Sequence, residues 1–380
     1  MPATRREFAL GFAGTCLLGC ETAERPLWSA DTHPRGYPTV RAVEHMAQKL
    51  RDATDGRLDI RIYAGGQLGS ERDTLEITMF GGLDLNRVNL APLNPIAPAT
   101  LVPALPFLFR SIAHMRAAMD GPPGRRILES LEAHGLKGLC FYDSGARSFY
   151  NTKRPIVTPD DMAGLKIRVQ NSDLYVALVE ALGADATPMS FGEVYQALVQ
   201  GVIDGAENNW PSYDTTRHFE AAPYYSTTEH VMAPEVLVMS MRRWRRLSDQ
   251  DRTLVERSAL ESVPVMRKLW DARVDASRER LTANGITLTT ITDKRAFQQR
   301  VTPVYDEYLN PELRGLADEI MAMESIEDIH DSAEPIEDIH DSAEPIEDTH
   351  DAVAPIQDTH DSVAPIEDTH DSAPVEDGND

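Results

Sequence analysis

The chain has 380 residues and a formal net charge of −24, yet the segment from Ser325 to the end holds 19 Asp and Glu and no Lys or Arg. The remainder therefore carries −5 and shows no basic stripe, which argues against a nucleic acid partner. Cys16 and Cys20 belong to an N-terminal leader, so Cys140 stands alone in the rest of the chain. A single cysteine excludes an intramolecular disulfide, a paired-thiol redox site and a thiolate zinc site, and we expect Cys140 to be a small core residue.

Residues 1–26 are typical of an export signal. The segment Thr4–Phe8 fits a twin-arginine address, and the apolar run Phe8–Leu18 is too short to span a bilayer. The segment Leu17–Cys20 resembles a lipobox, so Cys20 is either lipidated after cleavage or belongs to an ordinary cleaved signal. No later segment has 18 consecutive apolar residues. We therefore expect a periplasmic protein whose mature part spans no membrane, with a possible lipid anchor at Cys20.

Residues 27–324 number about 300, which is enough for two domains of ordinary size. In chain order, hydrophobic periodicity predicts a helix over Tyr37–Thr54, a strand over Leu58–Tyr63, a strand over Lys166–Gln170, and helices over Asp173–Leu182, Phe191–Gln200 and Asp249–Asn284. This alternation indicates an α/β fold with largely parallel sheets. A last helix of about 35 residues would be roughly 50 Å long. That length suits a helix that crosses two lobes better than one confined to a single domain.

Residues 325–380 repeat a ten-residue unit such as Pro335–Glu344, with few apolar residues and four charges. Because this composition cannot bury enough apolar surface to offset chain entropy, we predict a disordered acidic tail of decapeptide repeats. One histidine recurs every ten residues from His330 to His370, close to acidic residues. The tail is therefore either a solvating segment or a weak chelator of divalent metal.

The sequence contains no phosphate-binding Gly-rich loop, no His-Glu-x-x-His and no Gly-x-Ser-x-Gly motif. We therefore expect no catalytic residues, no metal ligands and no cofactor. The most unusual polar residue is Arg168, inside the strand pattern Leu165–Val169, where an α/β sheet is normally apolar. A guanidinium there needs a partner. Two hypotheses follow, a bidentate carboxylate ligand held in a cleft or an internal ion pair with a protein Asp or Glu.

Other polar residues lie near predicted strand ends. Arg147 lies in a predicted short loop after an apolar strand, and His33 follows the first strand, at the edge where open α/β sheets bind ligands. The predicted loop Glu207–Tyr213 holds amides and aromatics: Asn208, Asn209, Trp210 and Tyr213. Amide hydrogen bonds and a flat aromatic face suit a carbohydrate-like ligand, although a tryptophan in a loop is more often simply packed.

Four sequence blocks resemble the signature of DctP-type TRAP transporter solute-binding proteins, in family order: Gly66–Arg72, Gly164–Val169, Pro188–Leu198 and Gly201–Asn208. The resemblance implies a two-lobed, periplasmic binding protein-like α/β fold in which crossing strands and one long helix join the lobes. We expect lobe I to comprise residues 27–144 and 234–273, and lobe II residues 145–233 and 274–324. The resemblance further implies a receptor that is not an enzyme and that delivers its ligand to a TRAP membrane permease driven by an ion gradient.

The same resemblance assigns roles to individual residues. It implies that Arg168 is the carboxylate-binding arginine and that Arg147 assists it. The other residues that it implies for ligand contact are Asn208, Phe191, Asn89 and Glu71 or Ser70. With His33, Trp210 and Tyr213, they complete the predicted ligand-binding set.

The segments His33–Pro38 and Asn208–Tyr213 resemble the uronate-binding branch of the family. A hexuronate has one carboxylate and several hydroxyls, so it suits one strong cation and many neutral donors and acceptors. We expect galacturonate or glucuronate as the ligand, with a C4-dicarboxylate or another organic acid as the alternative. Two rivals are an enzyme on a similar scaffold, which needs a nucleophile or acid–base pair beside Arg168, and a metal-scavenging surface protein dominated by its tail.

Overall fold

The computed structural model of the protein describes residues 25–324. The predicted leader up to residue 24, with the twin-arginine pattern and Cys20, and the predicted tail from Ser325 lie outside the described residues. The described part of the chain belongs to one compact unit. Between residues 25 and 324, no helix is both long and apolar enough to cross a membrane.

Two mixed β-sheets form the framework of residues 25–324. Their strands are β1 (Leu27–Ala30), β2 (Ile60–Tyr63), β3 (Leu85–Asn89), β4 (Leu136–Tyr142), β5 (Arg147–Asn151), β6 (Lys166–Val169), β7 (Asp185–Pro188), β8 (Gly205–Asn208), β9 (Tyr224–Val231), β10 (Glu235–Ser240) and β11 (Thr287–Thr289). The first sheet has the order β2-β1-β3-β10-β4, and the second has the order β11-β9-β5-β8-β6-β7. The chain thus forms β1–β4 of the first sheet and β5–β9 of the second, then adds β10 to the first sheet and β11 to the second.

Helices connect most of these strands. They are α1 (Pro38–Ala53), α2 (Glu71–Phe80), α3 (Ile112–Asp120), α4 (Pro122–Ser130), α5 (Asp173–Ala181), α6 (Val194–Val199), α7 (Trp210–Thr215), α8 (Met241–Trp244), α9 (Asp249–Ala283), α10 (Arg295–Tyr308) and α11 (Pro311–Ala322). The periodicities predicted α1, α5 and α9 and the strands β2 and β6 to within two residues at each end. The predicted helix over Phe191–Gln200 is a 3-10 turn followed by α6.

The sheets are mixed rather than largely parallel, which corrects the expectation from the sequence. β1 pairs in parallel with β2 and β3, and β6 pairs in parallel with β7 and β8. β10 runs antiparallel between β3 and β4, and β5 runs antiparallel between β8 and β9. β5 and β10 are the first strands after the chain has passed from one sheet to the other. Their direction follows from that crossing, whereas helical crossovers within a sheet give parallel neighbours.

The chain passes between the sheets at residues 143–146 and 232–234 and again along α9. α9 is one helix of 35 residues, and the Ser248 side chain caps it by accepting a hydrogen bond from the Asp251 amide at 3.1 Å. Pro264 lies inside this helix without ending it. The helix packs against α1 and β4 near the first sheet and against α7 near the second. The prediction of a long helix that joins both parts of a two-lobed α/β fold is confirmed.

The first crossing is packed tightly against this helix. Gly145 has a φ of +62°, and a Cβ added to it would lie 3.1 Å from the Trp270 ring. Trp270 is buried and its ring meets the Tyr37 ring edge-on at 5.9 Å. Position 145 therefore requires glycine both for its backbone conformation and for the close approach of the helix.

Cys140 lies in the apolar core that α1 and α9 form with the first sheet. It is buried, and burial raises the pKa of its thiol to about 12. A thiol that stays protonated and inaccessible is a packing residue, as the apolar run around it predicts.

The predicted lobe boundaries stay a prediction. Strands of the first sheet all fall in residues 27–144 and 234–273, and strands of the second all fall in the remaining ranges. The packing of α11 differs from those boundaries, because it contacts α4 and the 3-10 helix Pro98–Ala104 of the first-sheet part. His114 Nε2 also lies 2.8 Å from the Ile320 carbonyl oxygen. Sequence periodicity gives no information about which neighbour a terminal helix meets.

Candidate functional site

A cavity of about 300 Å³ lies where strand ends of the two sheets meet. From the first-sheet side it is lined by residues that follow β1 and β2 or that end β3: Thr32, His33, Ser70, Glu71, Arg72 and Asn89. From the second-sheet side it is lined by residues of β5, β6 and β8 and of the segments that follow β6 and β7: Arg147, Arg168, Gln170, Asn171, Phe191 and Asn208. Open α/β sheets hold ligands at this edge because strand ends and helix starts leave polar groups free there.

Arg168 is 3% exposed, and its guanidinium faces this cavity from β6. Its Nε and Nη2 atoms donate hydrogen bonds to the Met189 carbonyl oxygen at 2.9 and 2.6 Å. Burial lowers the pKa of Arg168 from its ordinary value. Among residues 25–324, no carboxylate forms an ion pair with it. The described residues thus provide no internal partner of the kind that the second hypothesis for Arg168 requires.

Arg147, unlike Arg168, forms a buried ion pair. Its Nε and Nη2 atoms lie 2.5 and 2.8 Å from the two carboxylate oxygens of Glu207, and Nη1 donates to Asn208 Oδ1 at 3.0 Å. Burial alone would raise the pKa of Glu207, but Arg147 and the nearby His230 lower it to about 2. The predicted loop position is wrong, since Arg147 begins β5. Because Glu207 largely neutralises the charge of Arg147 within the protein, Arg147 attracts a ligand anion less strongly.

A third buried arginine, Arg87 in β3, was not predicted from the sequence. It is 1% exposed and forms ion pairs with three carboxylates: Asp31, Glu71 at 2.9 Å and Glu235 at 3.2 Å. Burial would lower the pKa of Arg87, but these carboxylates raise it well above its ordinary value. Arg87 stands inside the buried strand β3 and is as unusual there as Arg168 is in β6, so the same sequence signal marks both residues.

His33 and Phe191 bring the two walls of the cavity into contact. The His33 ring stacks on the Tyr37 ring at a centroid distance of 3.8 Å and meets the Phe191 ring edge-on at 5.4 Å. The Tyr37 hydroxyl lies 3.1 Å from the Ser212 hydroxyl oxygen on α7. His33 and Tyr37 belong to the first-sheet side, whereas Phe191 and Ser212 belong to the second. These contacts position the two walls relative to each other around the cavity.

Trp210 and Tyr213 lie outside this cavity, contrary to their predicted role. Trp210 stacks on Tyr225 at a centroid distance of 4.0 Å, and the buried Tyr213 hydroxyl donates to the Ala222 carbonyl oxygen at 2.7 Å. The predicted loop is also wrong, because the segment ends β8 and then begins α7. The Asn209 side chain caps that helix by accepting from the Ser212 amide at 2.8 Å. The alternative that the aromatics of this segment are packing residues fits their positions.

The family model for DctP, described as bacterial extracellular solute-binding protein, family 7, matches residues 29–311. The chain belongs to the DctP family. Both the family and the fold are those of solute-binding proteins rather than enzymes. The match begins within β1 and ends at the start of α11, so it covers both sheets and the cavity between them.

Solved structures of TRAP periplasmic solute-binding proteins are similar to this DctP-family chain. The one from Xanthobacter autotrophicus Py2, with bound β-D-galacturonate, is 49% identical with a TM-score of 0.77, covering 78% of this chain and 100% of that chain. The one from Roseobacter denitrificans, with bound β-D-glucuronate, is 41% identical with a TM-score of 0.77, covering 79% and 100%. A solute-binding protein of Chromohalobacter salexigens is 42% identical over 80% of this chain and 91% of its own length.

The cavity of this DctP-family protein also contains polar residues that the sequence reading did not single out: Gln170, Asn171, Ser190 and Ser212. Gln170 and Asn171 directly follow β6, just as His33 follows β1, so their position after a strand was a signal available in the sequence. Asn89 Oδ1 and Gln170 Oε1 are buried acceptors without a hydrogen-bond partner among the described residues. Such atoms are costly unless a donor reaches them.

Metal binding has no support in the described part of the chain, where no group of three or more His, Cys, Asp or Glu residues could hold an ion. The arrangement combines Arg168, a cation without a carboxylate partner among residues 25–324, with several amide and hydroxyl groups and apolar ring surfaces. It can bind an anionic, hydroxyl-rich small molecule.

Proposed function

We propose that this protein is the extracytoplasmic receptor of a TRAP importer and that it binds a hexuronate, galacturonate or glucuronate, through the ligand carboxylate. The observation that carries the proposal is Arg168, a buried guanidinium that lines the cavity without a carboxylate partner among residues 25–324. A ligand carboxylate would supply the missing partner, with two parallel hydrogen bonds in a site shielded from water.

The remaining groups of the cavity suit sugar hydroxyls. Asn89 Oδ1 and Gln170 Oε1 are buried acceptors, and ligand hydroxyls are the donors that would satisfy them. Asn171, Ser190 and Asn208 add further amide and hydroxyl groups. Relatives that are 49% and 41% identical over nearly all their length contain bound galacturonate and glucuronate. Both the chemistry of the lining and these relatives support a uronate.

The alternative ligand is a C4-dicarboxylate or another organic acid. A dicarboxylate needs a second cation at its far end, and the other two buried arginines near the cavity are already paired. Arg147 pairs with Glu207, and Arg87 pairs with three carboxylates. The alternative is therefore less favoured.

Export and delivery belong to the same proposal. The leader pattern supports export as a folded protein, and Cys20 is either lipidated or part of a cleaved signal. In the periplasm the protein would deliver its ligand to the permease subunits of the importer. The acidic tail from Ser325 would not be needed for binding, since the cavity is lined by residues 32–212.

A thermal-shift screen tests this function. Because ligand binding stabilises the folded state by mass action, galacturonate or glucuronate should raise the melting temperature by several degrees at saturating concentration. Galactose and succinate, which lack the carboxylate or the sugar hydroxyls, should raise it far less. A shift with succinate alone would favour the dicarboxylate alternative, and chemical change of the bound uronate would favour the enzyme rival. Loss of binding after deletion of residues 325–380 would place the site elsewhere.

A further inference from the structure

Charge is distributed unequally between the two walls of the cavity. On the second-sheet wall, Arg168 is a cation without a carboxylate partner among the described residues, and Arg147 is balanced by Glu207. Beneath the first-sheet wall, Arg87 is shared by three carboxylates. One wall therefore attracts an anion, and the other carries an excess of negative charge.

Glu71 is the member of this acidic group that lines the cavity. Its Oε1 atom accepts hydrogen bonds from Arg87 Nη1 at 2.9 Å and from the Asn89 amide at 3.1 Å. Its Oε2 atom has no hydrogen-bond partner among residues 25–324, and the side chain is 14% exposed. Two donors therefore hold the carboxylate of this lining residue in place and leave its Oε2 atom without a donor among residues 25–324.

Neighbouring cations do not cancel this negative charge. Arg72 also lines the cavity, but its side chain is 70% exposed and lies 3.4 Å from Glu76, so water and a counter-charge screen it. His33 Nε2 lies 3.6 Å from Glu235. Three carboxylates, Asp31, Glu71 and Glu235, thus have the one guanidinium of Arg87 as their shared ion-pair partner.

We propose that Glu71 is a specificity-determining residue that restricts the ligand to monocarboxylates, because it repels a second carboxylate on a ligand whose first carboxylate is bound by Arg168. The inference rests on the proposed function and extends it from what the site accepts to what it rejects. Rejection of a wrong ligand by a like charge is as effective for selectivity as added attraction for the right one. A free oxygen of Glu71 accepts a hydroxyl hydrogen readily, whereas it has no proton to offer to a carboxylate.

A matched pair of ligands isolates this effect. Galactonate and galactarate share an open six-carbon chain with the same internal hydroxyls, and they differ in one terminal group, a CH₂OH against a second carboxylate. Each is measured by competition against bound galacturonate on the purified protein, so that weak binding is also quantified. The wild-type protein should bind galactonate more tightly than galactarate. Equal affinity would overturn the proposal without any variant.

The variant test compares Glu71→Gln with Glu76→Gln. Both substitutions remove one negative charge from the same helix, but Glu76 is an exposed residue that does not line this cavity. Glu71→Gln should lower the ratio of the galactarate dissociation constant to the galactonate dissociation constant at least about tenfold. Glu76→Gln should change this ratio less than about threefold, because Glu76 and its partner Arg72 are exposed and screened by water. If Glu71→Gln does not raise the affinity for galactarate relative to that for galactonate, or if Glu76→Gln raises it equally, the inference is wrong.

Folding and function are controlled separately. Arg87 keeps Asp31 and Glu235 as partners in the Glu71→Gln variant, so the ligand-free melting temperature should stay close to that of the wild type. If this variant does not fold, the comparison of galactonate with galactarate on the wild type still decides. Failure of the wild type to bind any uronate would instead contradict the proposed function, which is a different outcome.

Discussion

Replacing Arg168 with alanine is the perturbation with the clearest expected result. The guanidinium uses Nε and Nη2 to hold the Met189 carbonyl and has no carboxylate partner among the described residues. In the alanine variant a bound uronate would place its carboxylate in a buried position without a cation. Binding would then strip water from the ligand carboxylate without providing a cation to replace that hydration, which is unfavourable.

The size of the loss follows from this geometry. Two unit charges about 4 Å apart at an effective dielectric constant of about 20 attract by about 4 kcal/mol. Removing one partner of a buried, hydrogen-bonded charge pair typically costs 2–5 kcal/mol. We therefore expect Arg168→Ala to weaken galacturonate binding by about 3 kcal/mol, which is roughly a hundredfold or more. Arg168→Lys should also bind poorly, since an ammonium cannot make two parallel bonds to a carboxylate.

Isothermal titration calorimetry with galacturonate measures this loss. Arg126→Ala serves as the matched control, because it removes an arginine that is exposed, is paired with Glu319 and does not line the cavity, and it should cost less than about 1 kcal/mol of binding. The ligand-free melting temperature of Arg168→Ala should change little, since the two lost hydrogen bonds are offset by removal of a buried, unpaired charge. A loss below threefold for Arg168→Ala would refute carboxylate binding at this residue.

Further variants test the groups around the cavity. Arg147→Met should destabilise the ligand-free protein by about 3–5 kcal/mol in urea unfolding, because it leaves Glu207 charged and buried; an unchanged midpoint would contradict the ion pair. Tyr213→Phe should cost about 1 kcal/mol of stability and leave uronate affinity unchanged; weaker binding would return this residue to the site. Burial and Arg168 lower the pKa of His218 to about 3. The histidine of the unfolded chain takes up a proton near pH 6.5, whereas His218 in the folded protein does so only near pH 3. The free energy of unfolding should therefore fall as the pH drops from about 6.5 to about 3, by up to about 1.4 kcal/mol per pH unit. His218→Gln should remove that component of the pH dependence.

Local sequence patterns were sufficient for several of the regular elements, namely α1, α5, α9, β2 and β6. The helix pattern from Asp249 has a Ser248 cap and no glycine, and the structure has one helix from Asp249 to Ala283. Short alternating strands such as β2 and β6 were also recovered, because a period of two or 3.6 is a property of neighbouring residues. The mixed strand directions were not recovered, since β5 and β10 take theirs from where the chain crosses between the sheets.

The candidate site was predictable only in part, for a related reason. Strand-end polar residues such as His33 and Arg168 are visible in the sequence, and the structure places both at the cavity. The sequence does not show which arginine already has an ion-pair partner, because the partners are distant along the chain. Arg147 pairs with Glu207, and Arg87 pairs with Asp31 and Glu235. No local pattern reports such pairs. The same limit explains why Trp210 was predicted to contact ligand although it stacks on Tyr225.

The most direct test of carboxylate recognition compares galacturonate with galactose on the unmodified protein. The two sugars share the ring and most hydroxyls and differ at one carbon, which carries a carboxylate or a CH₂OH group. Titration calorimetry should give a dissociation constant for galacturonate at least about a hundredfold lower than that for galactose, since only the acid offers a partner to Arg168. Equal dissociation constants for the two sugars would contradict the claim that this cavity binds its ligand through a carboxylate.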